Sequence, residues 1–274
     1  MADALFKVED LHLSLPDLAR KPLFGAAPRI TILKGLSFTV PEGAITGIVG
    51  ESGSGKTSLG RTLIRLLTPD RGRIDFAGRD ITGLDDEALR PLRRDLQIIF
   101  QDPFSSLNPR KTVGAIIAAP LLLHKVAATG GEARSLAQEA LTQVGLPVSF
   151  AARYPHELSG GQRQRVGIAR AVALKPRFIL ADEIVSGLDV SSQAQILALL
   201  MDLRARMNFT MAFISHDLSV VRRLCDRVIV MRKGEIVEDA DTATLFERPQ
   251  HAYTRLLRDS IPLPELTQGW LQEG

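Results

Sequence analysis

The chain has 274 residues, 45% hydrophobic and 24% charged, with 34 basic against 31 acidic side chains and a net charge of +3. That length holds one large α/β domain, with or without an inserted subdomain, and a near-neutral balance with scattered basic residues leaves no electrostatic footprint for nucleic acid. The single cysteine, Cys225, excludes an internal disulfide and any all-cysteine metal or iron–sulfur site within one chain.

Residues 1–4 carry no basic-then-apolar signal pattern. Residues 6–15 alternate (Phe6, Val8, Leu11, Leu13, Leu15) and read as a strand with one face buried. Residues 16–29 are rich in Pro, Ala and Gly and read as a loop; alternation resumes over 29–40, turns at Pro41-Glu42-Gly43, and leads into an apolar strand over 44–49. A helix follows over 58–64, a short hairpin pairs 73–76 with 79–81 through Ala77-Gly78, a short helix covers 85–92, and residues 96–100 form an apolar strand. From 101 to 174 the character changes to helix and loop, with helices over 132–144 and 159–173. Strands return at 177–181 and 210–215, and a last hairpin, 227–231 with 235–238, turns at Lys233-Gly234. Between them lies a helix over 191–207 with Leu197, Leu200, Met201 and Leu203 as its apolar face. Cys225 falls in a helical stretch and reads as a reduced thiol packed at a helix face. Antiparallel pieces therefore lie against a mostly parallel sheet covered on both sides, and the block 101–174 is an inserted second lobe. The longest apolar run, 113–123, is interrupted by Pro120 and is well short of the ~20 residues of a membrane span. The chain is expected in the cytosol, meeting a membrane only through a partner.

The apolar strand over 44–49 runs into Gly50-Glu51-Ser52-Gly53-Ser54-Gly55-Lys56-Thr57, followed by Ser58 and a helix. Strand, glycine-rich turn and helix in this order make G-x-x-x-x-G-K-[ST] a phosphate cradle. Its backbone N–H groups and helix dipole face the β- and γ-phosphates, Lys56 adds a full charge, and the Thr57 hydroxyl suits Mg²⁺. The chain is therefore expected to bind a nucleoside triphosphate. Residues 178–181 are an apolar strand ending in Asp182-Glu183, which a parallel sheet delivers beside that loop. Period-two geometry would turn the two carboxylates apart, Asp182 toward Mg²⁺ and Glu183 toward the γ-phosphate as general base. Gln101 and His216 also follow strands. Position alone leaves open whether they are structural or sense the γ-phosphate, Gln101 by an amide oxygen for Mg²⁺ or water and His216 by an imidazole donor. Leu158-Ser159-Gly160-Gly161-Gln162 opens the helix over 159–173 with an N-capping serine and bare backbone N–H groups. It is a second phosphate-binding terminus in the lobe remote from the first. One triphosphate cannot easily occupy both in one chain, so a head-to-tail pair of chains is expected, each completing the other's site. The apolar run 113–123 reads equally well as a docking surface or as a buried helix face.

These pieces resemble the nucleotide-binding subunit of an ATP-binding cassette (ABC) transporter over essentially the full chain. The resemblance rests on the phosphate loop, the Q-loop glutamine Gln101, the signature 158–162, the Walker B strand 178–182 with Glu183, the D-loop Ser186-Gly187-Leu188-Asp189 and the switch His216. It implies an α/β fold: a P-loop NTPase (RecA-like) core with an antiparallel β subdomain in 1–100 and 175–247, an inserted α-helical subdomain in 101–174, and a tail over 248–274. Residues 100–110 and 249–257 are similar to the oligopeptide, dipeptide and nickel importer branch. That implies an ATPase at the cytoplasmic face of the membrane, using ATP and Mg²⁺, with Thr57, Gln101 and Asp182 on the metal. Glu183, His216 and Gln101 would be catalytic, and Gly50 to Ser58, Ser159 to Gln162 and Asp189 would bind nucleotide. Its partners would be a second cassette subunit, identical or homologous, two permeases and, indirectly, a substrate-binding protein. A cassette subunit of a soluble complex, such as one for phosphonate breakdown, or a non-transport cassette ATPase is the alternative; the long coiled-coil insertions or paired cassettes of the latter are absent. Two positions depart from the family pattern: Ile184 stands where proline is common and Gly187 where alanine is usual. No aromatic precedes Lys34-Gly35-Leu36 to stack on adenine, which leaves Phe24 as the nearest candidate.

Overall fold

The computed structural model describes residues 4–22 and 25–260; Phe24 lies outside them. The chain opens with β1 (Ala4–Pro16), β2 (Arg29–Pro41), β3 (Ile45–Val49), α1 (Lys56–Leu63), β4 (Arg71–Phe76), β5 (Arg79–Asp80), α2 (Asp86–Leu89) and β6 (Leu96–Ile99). Four helices follow without a strand: α3 (Pro103–Ser106), α4 (Val113–Leu123), α5 (Gly130–Gln143) and α6 (Gly160–Val172). The last third alternates β7 (Phe178–Asp182), α7 (Val190–Met207), β8 (Thr210–Ile214), α8 (Leu218–Leu224), β9 (Arg227–Arg232) and β10 (Glu235–Asp241), then closes with α9 (Thr242–Glu247) and α10 (Ala252–Asp259).

Two sheets result. β2, β1, β4 and β5 lie in that order as an antiparallel sheet. The second sheet runs β10-β9-β3-β8-β7-β6, parallel except for the β10 edge. Alternation along its strands sorts the two faces. Ile45, Val49, Ile179, Ala181, Met211 and Phe213 belong to a core shared with the helices. Ile48, Phe178, Leu180, Ala212 and Ile214 face the other way, toward Phe6, Leu59 and Leu63. Phe6 bridges the two sheets, its ring 5.0 Å from that of Phe76 and 4.7 Å, edge-on, from that of Phe178. These parallel strands are buried on both faces, which explains their continuous apolar runs.

Register brings the strand ends together. Asp182 pairs with Ile214, Ile48 also pairs with Ile214, and Ile99 pairs with Ala181. The residues following each strand, Gly50, Gln101, Glu183 and His216, therefore leave the sheet at one edge, where ligands of open α/β sheets gather.

Several local expectations are corrected. The helix over 85–92 is only Asp86–Leu89, capped by Asp85; Pro91, which has no N–H to give, starts a separate 3-10 turn over Leu92–Arg94. Pro120 does not interrupt the 113–123 run but sits inside α4. Met201 is 52% exposed, and Ile196 joins Leu197, Leu200 and Leu203 on the buried face of α7. Cys225 is not on a helix face: it ends α8 with extended backbone, and burial raises its thiol pKa. Val113, Ile117, Leu141 and Val166 of the lobe 101–174 share one apolar cluster with Val49 and Ile179 of the sheet.

Candidate nucleotide site

The phosphate loop folds as its glycines require. Gly50 has φ 148°, and a Cβ there would lie 2.2 Å from the Met231 carbonyl oxygen, so only glycine lets the loop leave β3 so close to β9. Gly55 (φ 102°) ends the turn and caps α1. α1 packs tightly on the sheet beneath: a Cβ at Gly60 would stand 2.6 Å from Leu180 Cδ1 and 2.9 Å from Ile214 Cδ1. That closeness carries Thr57, one turn earlier on the helix, onto the end of β7.

Ser52, Gly53, Gly55, Lys56, Thr57 and Ser58 line a cavity of about 410 Å³ that Ile32, Gln101 and Glu183 complete. Gly50 and Glu51 lie at its root, where their carbonyls accept from Lys56 Nζ at 2.8 and 2.9 Å. Burial lowers the Lys56 pKa, with Glu183, Asp182 and Glu51 opposing the shift. The Ser54 hydroxyl is buried without a partner. A buried ammonium on two loop carbonyls beside the glycine-rich backbone that lines the cavity is a charge and donor set that fits phosphate oxygens.

Thr57 Oγ1 donates to Asp182 Oδ1 at 3.0 Å. Asp182 is 2% exposed, and burial raises its pKa, opposed by the Thr57 hydrogen bond and the Arg61 charge. Arg61 Nη2 stands 3.5 Å from Asp182 Oδ2. The reading of the sequence missed Arg61; its signal is the i, i+4 spacing from Thr57, which puts both on one face of α1. No cluster of three or more His, Cys, Asp or Glu side chains that could hold a metal occurs among the described residues. Hydroxyl and carboxylate oxygens at this spacing are the hard donors Mg²⁺ takes when phosphates fill its other positions.

Glu183 does not continue the strand alternation. It lies one residue past β7 with φ 49°, a left-handed conformation uncommon outside glycine, and its amide donates to the Ile214 carbonyl at 3.1 Å. This twist points its carboxylate at the two neighbouring strand ends. Gln101 Nε2 donates to Glu183 Oε2 at 3.1 Å, and His216 Nδ1 stands 3.7 Å from the same oxygen. Gln101, Glu183 and His216 thus meet at one carboxylate oxygen. Using its amide nitrogen there leaves the Gln101 side-chain oxygen available as an acceptor.

Ser159, Gly160, Gly161 and Gln162 are elsewhere. Ser159 Oγ accepts from Gln162 N at 3.3 Å while Gln162 Oε1 accepts from Ser159 N at 3.0 Å, a reciprocal cap. The terminus opens on a separate cavity of about 470 Å³ shared with Gly145, Arg165 and Ser192. Among the described residues, none lines both this cavity and the one at the phosphate loop. Asp189 is occupied at home: its Oδ1 and Oδ2 accept from Ser192 N (2.9 Å) and Ser192 Oγ (2.7 Å), capping α7. Gly187, two residues before it, has φ 77°, so alanine there would be strained and the departure from the family pattern has a backbone reason. One further link was not foreseen: Arg163, on α6, lies 3.4 Å over the ring of Phe104, three residues after Gln101.

Residues 33–186 match the family model described as "ABC transporter". The chain is 51% identical over 235 residues to "Oligopeptide transport ATP-binding protein AppF" of Bacillus subtilis, covering 85% of this chain and 71% of that protein. It is 47% identical over 272 residues to "Probable peptide ABC transporter ATP-binding protein y4tS" of Sinorhizobium fredii, covering 99% and 76%. Among solved structures, the dimeric ATP-binding cassette MJ0796 in a post-hydrolysis state bound to ADP and Pi superposes with a TM-score of 0.76 at 31% identity, over 86% of this chain and 98% of that one. The chain belongs to the ABC transporter family, as an ATP-binding cassette ATPase.

Proposed function

We propose that this chain energises a membrane importer of peptides, hydrolysing ATP in two composite pockets formed by a head-to-tail pair of cassettes. The observation that carries the pairing is the division of the machinery: Lys56, Thr57, Gln101 and Glu183 line one cavity, with Asp182 held by Thr57 and His216 beside Glu183, while Ser159, Gly161 and Gln162 line a separate one. The peptide cargo rests on the names of the two relatives, neither of which mentions nickel, the other cargo the sequence resemblance allows.

Within one pocket the roles follow from chemistry. Lys56, already stripped of water, exchanges the Gly50 and Glu51 carbonyls for phosphate oxygens. Thr57, Asp182 and the Gln101 amide oxygen are the residues to hold Mg²⁺. When bound, Mg²⁺ neutralises charge on the β- and γ-phosphate oxygens. Glu183 takes the proton of the attacking water, with Gln101 and His216 fixing its carboxylate. The partner's copy of the α6 terminus brings bare N–H groups to the γ-phosphate, a role an arginine finger fills in other phosphoryl-transfer enzymes.

The permease contact is proposed at a groove of about 500 Å³ between α4 and the sheet, where Leu66, Phe100, Ala119, Pro120 and Leu123 are apolar walls and Arg93, Lys111 and Arg170 supply positive charge. α4 answers to both readings of the 113–123 run: Val113, Ile117 and Leu121 are buried, whereas Leu122 and Leu123 are 43% and 58% exposed. Among the described residues no helix is long and apolar enough to cross a membrane, so attachment through this groove is the proposed route to the membrane.

Glu183→Gln tests the hydrolytic reading. The variant is expected to bind MgATP with wild-type affinity and to turn over at least ~10²-fold more slowly; near-normal hydrolysis would remove Glu183 from the role of base.

A further inference from the structure

The tail motif around residues 249–257, which the hydrolytic roles leave unused, reaches the phosphate loop from behind. Tyr253, on α10, accepts a hydrogen bond at its hydroxyl from the Glu51 N–H at 2.9 Å, across 202 residues of chain. Glu51 is not among the residues lining the cavity, and its amide is taken up by Tyr253. The Gly50–Glu51 peptide is gripped on both sides, because its other end, the Gly50 carbonyl, accepts from Lys56 Nζ at 2.8 Å; the next carbonyl, that of Glu51, accepts from Lys56 Nζ at 2.9 Å and from Ser54 N at 3.2 Å. A second clasp comes from the β9–β10 turn, where Gly234 N donates to the Ser54 carbonyl at 3.0 Å.

The same hairpin anchors α10. Glu238, on β10, accepts from Gln250 N at 2.8 Å and His251 N at 3.0 Å with its two carboxylate oxygens. His251 Nδ1 accepts from Tyr253 N at 3.1 Å and caps the helix. The Arg232 guanidinium, at the end of β9, lies 4.9 Å from the Tyr253 ring centroid, and Tyr253 is only 8% exposed. The tyrosine hydroxyl is therefore held in place by groups that belong neither to the loop nor to the nucleotide cavity.

We propose that Tyr253 is a positioning residue for the phosphate loop, making α10 part of the nucleotide site; this rests on ATP binding at Gly50–Thr57. Loading the cradle requires Lys56 to leave the Gly50 and Glu51 carbonyls for phosphate. At that moment the inner grip on the Gly50–Glu51 peptide is released, and the Tyr253 bond is what keeps that peptide plane in place, and with it the aim of the N–H groups that follow. Removing the acceptor strands a part-buried N–H, which rotates to find another partner and takes the loop out of register.

The test is Tyr253→Phe in the full 274-residue chain, which keeps the ring and its Arg232 contact and deletes only the oxygen. KM for MgATP and the directly titrated ATP dissociation constant are expected to rise roughly 5–10-fold while kcat moves less than about two-fold. Exchange of the Glu51 amide proton should accelerate in the nucleotide-free variant. Leu256→Ala, on the exposed side of the same helix, should change none of these. Unchanged KM and unchanged Glu51 exchange would overturn the inference, as would losses in KM and kcat that track a lowered Tm. If the wild-type chain itself fails to bind ATP, the nucleotide reading falls first; if it binds and Tyr253→Phe binds equally well, only the role of Tyr253 falls.

Discussion

The two glycine-rich helix starts of this chain make a controlled comparison. At the phosphate loop the helix is short, its cap is a left-handed glycine, and the chemical groups nearby are held by partners in the same chain: Thr57 on Asp182, Lys56 on its own loop, Gln101 on Glu183. At Ser159 the helix is self-capped by serine and glutamine, a Cβ added at Gly160 would meet nothing within 4 Å, and among the described residues no carboxylate or lysine lines the cavity. In the proposed scheme the first terminus is the ground-state binding site and the second is a donor set whose acceptor another molecule supplies. Binding and turnover should therefore separate by mutation, because only the second awaits another molecule.

Ser159→Arg breaks that comparison hardest. A bulky cation at the α6 terminus removes the cap and obstructs the N–H groups without touching the phosphate loop. ATP binding to the isolated chain should persist, whereas hydrolysis should fall at least ~10²-fold, the loss typical of a removed transition-state donor. Hydrolysis at the wild-type rate would show that this terminus is not part of the reaction centre.

Gly60→Ala probes the first region through its support. The added methyl has Leu180 Cδ1 at 2.6 Å and Ile214 Cδ1 at 2.9 Å, so these buried side chains or α1 itself must shift, and a shift of α1 would lengthen the 3.0 Å Thr57–Asp182 contact. Since misplacement of about 1 Å can cost 10²-fold, kcat should drop roughly 10-fold or more. The ATP-binding defect and the stability loss from overpacking should be milder, and a variant with wild-type kcat would mean that this spacing does not matter.

Asp182→Asn carries the smallest effect on the fold and sharpens the electrostatic account. Because burial raises the Asp182 pKa, the native chain holds more protons than the unfolded one between the unfolded and folded values, so stability falls as pH rises through that window. Asparagine has no such penalty. The nucleotide-free variant should gain Tm relative to wild type as pH rises from acid toward neutral, while stabilisation by MgATP is lost. A difference in Tm independent of pH would contradict the assignment.

Which parts of this were legible follows from how local the signal is. The phosphate loop, the acid-ended strand and the serine-capped terminus are contiguous motifs, and their chemistry follows from spacing alone. Register then made the convergence of Gln101, Glu183 and His216 nearly unavoidable, since all follow parallel strands. The left-handed backbone at Glu183 was not readable, because alternation extends a strand rule past the point where the strand stops. Nor was Tyr253 at Glu51, a contact over 202 residues that no periodicity encodes. Met201 failed for a related reason: helical spacing offers a stripe of candidates, and tertiary packing chose Ile196 over Met201. Asp189, which the family resemblance makes a nucleotide contact, caps α7 within this chain.

The most direct measurement mixes two inactive chains, Ser159→Arg and Lys56→Ala, each broken in a different half of the pocket. In a randomly paired mixture about half the pairs are hybrid and one of their two pockets is intact, so ATPase activity should return to about a quarter of the wild-type value. Activity that stays at the level of the separate variants would contradict a reaction centre shared between molecules.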